Sequence, residues 1–144
     1  RSIKSVEERW RSVMARGTVH GNYFNTGDPY SEWCRENNVY MIDVDACGIC
    51  KKCKDPLYLA ETCFDRGQTW KATTTTEALA RLAGLPSFLV FYKVDKDRIV
   101  ESLRVTQLTP SKGKETLVLP EGWFQILEFL QEQHNPECKK KEIA

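Results

Sequence analysis

The sequence predicts a mixed α/β domain, with a small central sheet built on a β-hairpin core and flanked by helices. Three observations carry this. Phe88 to Val94, FLVFYKV, is the nearly continuous apolar run that a strand buried on both faces requires. Asn38 to Cys63, NVYMIDVDACGICKKCKDPLYLAETC, holds two apolar runs, Val39 to Val44 and Leu57 to Ala60, around a polar tip with Lys51, Lys52, Asp55 and Pro56; this reads as a hairpin with a long loop. Apolar residues at helical spacing before, between and after these segments supply the flanking helices.

Taken in order, Ser2 to Arg16 reads as a helix with Ile3, Val6, Trp10, Val13 and Met14 on one stripe and Gly17 as its stop. Ser5 and Glu8 stand in capping-box relation, whereas Glu7 falls at the border of the stripe, as a snorkelling edge residue or as a contributor to a polar site. Thr18 to Asp28 is a connection in which His20 reads as an incidental loop residue or a substrate contact. Pro29 opens a short helix through Trp33 and Cys34 to Asn37. Beyond the hairpin, Phe64 to Thr73 is too polar for a central strand. Thr74 and Glu77 form a second capping-box pair for a helix that Gly84 ends. Arg98 to Leu108 is a further strand, Thr109 to Thr116 a polar loop, and Pro120 to about His134 a helix with Trp123, Phe124, Ile126, Leu127 and Leu130 on its apolar face. Residues 1–134 are expected to form one domain and 135–144 a solvated tail.

A chain of 144 residues, 41% hydrophobic and 28% charged, suffices for one ordinary core and excludes disorder throughout. A net charge of +1 announces no global field for a polyanion, so any nucleic acid has to be held by a local patch. No apolar run approaches the roughly 20 residues that span a bilayer, and no signal-peptide pattern opens the sequence, so a cytoplasmic, intracellular protein without membrane contact is expected.

Chemistry concentrates in the hairpin. Alternation along a strand puts Asp43 and Asp45 on one face of the first arm and Glu61 with Cys63 on one face of the second. If the faces coincide, three carboxylates meet in a divalent-metal site; the alternative is acids that face solvent. Lys71, just before the next helix, is long enough to reach toward Glu61, or is a solvated loop lysine. Cys47, Cys50 and Cys53, packed as C-G-I-C-K-K-C, suit metal thiolates or a redox pair better than a secreted disulfide framework. A zinc ion there lacks an obvious fourth ligand. Lys51, Lys52 and Lys54 at the tip are candidates for phosphate contacts.

The inward acid on the first helix, the hairpin carrying Asp and then Glu, and the unit ARLAGLPSFLVFY (80–92) resemble the PD-(D/E)XK nuclease superfamily, with its restriction-endonuclease-like fold. The resemblance implies Mg²⁺- or Mn²⁺-dependent hydrolysis of phosphodiesters, with DNA favoured over RNA and a homodimer left open. Asp43 or Asp45 would match the first metal-binding acid, Glu61 in Glu61-Thr62-Cys63 the second, and Glu7 the helix glutamate. The lysine place of that motif is held by Cys63, a poor ligand for Mg²⁺, so either Lys71 supplies the cation or the domain has lost catalysis. Two rivals stand beside this. One is a thioredoxin-like oxidoreductase using Cys47 and Cys50, with Leu85-Pro86-Ser87 similar to that family's proline loop; Pro56 and the polar Phe64 to Thr73 stretch oppose it. The other is a non-enzymatic zinc-containing module that binds nucleic acid or protein.

Overall fold

The structure is a computed structural model that describes residues 29–42 and 44–138. The chain divides into two compact units, Arg1–Asp43 with Trp70–Thr74 and Val44–Thr69 with Thr75–Ala144. In the first unit, helix α1 spans Pro29–Glu36. It ends where Asn38 takes a left-handed φ of 55°, and the Val39 N–H turns back to the Cys34 carbonyl at 2.8 Å. This is a Schellman closure, with asparagine at the position that tolerates positive φ. It corrects the expected first hairpin arm: Val39 is spent on ending a helix, and residues 39–42 form no strand.

The second unit carries the sheet. Its strands are β1 (Ala46–Ile49), β2 (Pro56–Phe64), β3 (Ser87–Val94), β4 (Val100–Thr109) and β5 (Thr116–Val118), in that spatial order. β2 and β3 are parallel, joined across helix α2 (Thr74–Ala83), and the other neighbours are antiparallel. A small mixed sheet flanked by helices is therefore present. The hairpin exists with its first arm moved toward the cysteines, since Ala46 pairs with Ala60 and Cys47 with Leu59. β5 lies at the end of the stretch expected to be loop. It is too short to leave a periodic signal.

Alternation of side chains gives the sheet two apolar faces. On one, Ala60, Phe88, Val90, Leu103 and Val105 form a cluster that Trp123 and Leu130 of helix α3 (Pro120–His134) cover. Trp123 meets Phe88 edge to face with centroids 5.3 Å apart. On the other, Leu89, Phe91 and Leu108 pack with Cys63. β3 supplies both clusters, which is why its sequence is nearly continuously apolar from Phe88 to Tyr92. α2 ends as expected at Gly84 (φ 67°), where the Leu85 N–H reaches the Ala80 carbonyl at 2.8 Å.

Arg104 of β4 ties the loop after β2 to the sheet. Its guanidinium donates to both carboxylate oxygens of Asp65 at 2.9 and 3.1 Å, to the Gln68 carbonyl at 2.8 Å and to Glu115 at 2.6 Å, and it lies over the Phe91 ring. Hydrogen bonding from Arg104 holds the Asp65 carboxyl down to about 2, against an ordinary 3.8. A folded-state value below the unfolded one stabilises the fold above the unfolded value and is lost as pH falls through the folded one. Thermal melts should accordingly show stability eroding from about pH 4 toward pH 2. Asp65→Asn should melt lower at neutral pH and show a shallower decline over that window; an identical acid limb would rule out this pair as its source.

Candidate metal centre

The hairpin tip between β1 and β2 is a tight turn fixed by its own backbone. Cys50 N–H donates to the Asp55 carbonyl at 2.8 Å, and Lys54 N–H to the Cys50 carbonyl at 3.1 Å, with Lys54 at φ 68°. Both cysteine sulfurs of the turn accept backbone N–H groups, Cys50 from Lys52 at 3.4 Å and Cys53 from Asp55 at 3.5 Å. Such bonds favour sulfur as thiolate, the form that binds metal.

The last turn of α3 meets this tip. Gln131 and His134, three apart, share one helix face. Gln131 Nε2 donates to Cys50 Sγ at 3.3 Å and to Asn135 Oδ1 at 2.8 Å, while its Oε1 accepts the Lys51 N–H at 3.1 Å. His134 Nε2 lies 3.2 Å from Cys53 Sγ. A 3₁₀ turn at Asn135–Glu137 then carries the chain to Cys138, whose buried sulfur is 3.7 Å from that of Cys50.

The ligand atoms of Cys50, Cys53, His134 and Cys138 thus all lie within 4.8 Å of one another. A tetrahedral zinc with Zn–S of about 2.3 Å and Zn–N of about 2.0–2.1 Å sets its sulfurs about 3.7 Å apart and sulfur to nitrogen about 3.5 Å. The Cys50–Cys138 edge matches, and the Cys53–His134 edge is within a few tenths of an ångström. Cys₃His is a donor set of structural zinc, and C-x₂-C with H-x₃-C keeps its short ligand spacings. Hydrogen bonding from Gln131, chiefly, lowers the Cys50 thiol to about 5; burial raises that of Cys53. With three thiolates and one Zn²⁺ the centre carries a single negative charge, with Lys51, Lys52 and Lys54 alongside.

The expected hard-ion site is not what these residues form. Among the described residues, the group able to hold a metal ion is sulfur-rich, without carboxylates, which overturns Mg²⁺ or Mn²⁺ as cofactor and with it the nuclease activity and the resemblance to PD-(D/E)XK enzymes. Asp45 precedes β1, and its carboxylate accepts the Thr62 N–H at 2.9 Å, extending the hairpin ladder. Glu61, 5% exposed, accepts the Thr76 hydroxyl of α2. Lys71 belongs to the first compact unit and Glu61 to the second. Glu7, Asp43 and His20 lie outside the described residues, as does the expected Ser2 to Arg16 helix.

Of the cysteines expected around zinc, Cys50 and Cys53 belong to the cluster. Cys47 does not, being exposed on β1 with its sulfur near the Gly48 carbonyl. Cys63 packs under the sheet and accepts from Gln68 Nε2 at 3.3 Å. The redox pairing of Cys47 with Cys50 is likewise not the arrangement present, because the Cys50 sulfur faces Cys138. Sequence reasoning missed His134 and Cys138. The available signal is their H-x₃-C spacing, which runs from the end of the expected helix into the expected solvated tail; Cys138 is 3% exposed.

No family model matches the chain, and comparison with curated proteins and with solved structures finds no match. Among the described residues no helix is long and apolar enough to cross a membrane.

Gln131 touches Cys50 without being one of the four ligands, and outer partners of this kind are commonly worth about 10–100-fold in metal affinity. Gln131→Ala should weaken zinc by that factor, measured by competition with a chromophoric chelator, at unchanged stoichiometry under saturating zinc. An unaltered affinity would assign Gln131 to packing alone.

Proposed function

We propose that the second unit is a zinc-stabilised binding module, in which one structural Zn²⁺ joins the β1–β2 tip to the end of α3. The observation that carries this reading is the convergence of Cys50, Cys53, His134 and Cys138 from segments about eighty residues apart in sequence. Four protein ligands close a tetrahedral ion and leave no position for a substrate or an activated water, which is the arrangement of a structural site. What the ion supplies is cross-linking. The tip otherwise rests on α3 through a few hydrogen bonds, and its ligands come from elements that separate in the unfolded chain, so binding free energy becomes folding free energy.

The test is metal analysis with thermal melts of the full chain before and after chelation. One zinc per chain, a lower Tm after its removal and recovery on adding Zn²⁺ but not Mg²⁺ are expected. A chain that takes up no zinc, or whose Tm ignores it, would refute the reading.

A further inference from the structure

The metal centre holds one more sulfur than a disulfide needs, and its three sulfurs differ in exposure. Cys50 and Cys138 are buried, at 0% and 3%, whereas Cys53 is half-buried with its sulfur 3.2 Å from His134 Nε2. The Cys50 and Cys138 sulfurs stand 3.7 Å apart although 88 positions separate them in sequence. Neither residue lies inside a helix or strand: Cys50 follows the last residue of β1, and Cys138 follows the 3₁₀ turn in extended backbone. A small local adjustment therefore brings the two sulfurs to the roughly 2.05 Å of a bond.

Bound to zinc, all three sulfurs are thiolates, the nucleophilic form. A disulfide between Cys50 and Cys138 would leave the ion only Cys53 and His134, two ligands where a structural zinc takes four. It would also keep the β1–β2 tip tied to the chain beyond α3, and a cross-link that closes so long a loop stabilises the fold in its own right. A Cys50–Cys53 bond, closed within one turn, would release the ion and leave the end of α3 untied.

From this arrangement we infer that the centre is a redox-convertible tether: hydrogen peroxide oxidises it, Cys50 and Cys138 join as a disulfide, and zinc leaves. This rests on the zinc reading and adds how that same site is regulated. Half-buried Cys53 is the sulfur that solvent reaches first. Its thiolate attacks one peroxide oxygen, the O–O bond breaks, and a sulfenic acid forms while the other oxygen leaves as hydroxide. The Cys50 thiolate attacks that sulfur, making an S–S bond and expelling the remaining oxygen as a second hydroxide. The Cys138 thiolate then attacks the Cys50 sulfur and releases Cys53 as thiolate. Cys50 and Cys138 have each given up one electron, the peroxide has taken both, and two protons from solvent turn the hydroxides into water.

The test is addition of hydrogen peroxide to the reduced, zinc-loaded full chain. Released zinc is read with a chromophoric chelator and disulfides are mapped by mass spectrometry of non-reduced digests. Cys47, exposed and outside the cluster, reports that the oxidant has acted. One zinc released per Cys50–Cys138 disulfide is expected, reversed by a thiol reductant with Zn²⁺, and the oxidised chain should melt above the reduced, metal-free one. Zinc that stays bound while Cys47 is oxidised, a bond found at Cys50–Cys53 instead, or an oxidised chain that melts no higher than the reduced metal-free one would overturn the inference alone. Reduced protein that takes up no zinc would overturn the metal centre beneath it.

Discussion

Cys138→Ser is expected to weaken zinc binding by more than about a hundredfold, beyond the range for outer partners, and to bring the Tm of the zinc-supplemented protein down to that of the metal-free chain. Cys138 is remote in sequence from the C-G-I-C-K-K-C run, yet its sulfur stands 3.7 Å from Cys50. Cys47 lies within that run and points away, exposed on β1. The pair therefore decides between a centre read from sequence spacing and one read from geometry: Cys47→Ser should leave zinc affinity unchanged. If Cys47→Ser released zinc and Cys138→Ser retained it, the ligand set of Cys50, Cys53, His134 and Cys138 would be wrong. Competition with a chromophoric chelator measures both variants.

Phe91→Ala should cost about 3–5 kcal/mol of unfolding free energy, the range for truncating a buried aromatic in a core that collapses only partly. Phe91 is 2% exposed on β3, packs with Leu89 and Leu108, and supports the Arg104 guanidinium 4.6 Å above its ring. Its removal leaves a cavity and also loosens the arginine that holds Asp65 and Glu115. Urea denaturation of the zinc-loaded protein measures the loss, with Phe129→Ala, at an exposed position on α3, expected to stay within about 0.5 kcal/mol. A loss at Phe91 no larger than that would mean that the face of the sheet carrying Phe91 contributes little to stability.

The parts of the fold that the sequence discloses are those where local rules and tertiary packing agree. Pro120 to His134 and Thr74 to Ala83 are helices with the expected bounds, because Pro at a first helical position and Gly84 at a left-handed stop act locally. β3 declares itself because both its faces are buried. The hairpin is half legible. Its tip and second arm are where the apolar pattern puts them, but Val39 to Val44 is equally compatible with a strand and with the exit of a helix, and only the Asn38 turn separates the two.

The metal centre is legible to a similar degree. Cys50 and Cys53 sit close enough in sequence to suggest a shared ion, whereas His134 and Cys138 become partners only after β2, β3, β4 and α3 have brought the end of α3 back to the tip. Acidic residues misled for a related reason. Asp45 and Glu61 have the residue types and spacing of metal ligands, and the structure commits Asp45 to the Thr62 backbone and Glu61 to Thr76, contacts that no spacing announces.

X-ray absorption at the zinc edge reads the atoms around the ion independently of any activity, and so decides whether a Cys₃His centre exists. A first shell of three sulfurs at about 2.3 Å and one nitrogen at about 2.0–2.1 Å is expected, with loss of one sulfur in Cys138→Ser. A shell of oxygen and nitrogen without sulfur, or a sulfur count unmoved by Cys138→Ser, would show that the hairpin tip and the end of α3 share no zinc.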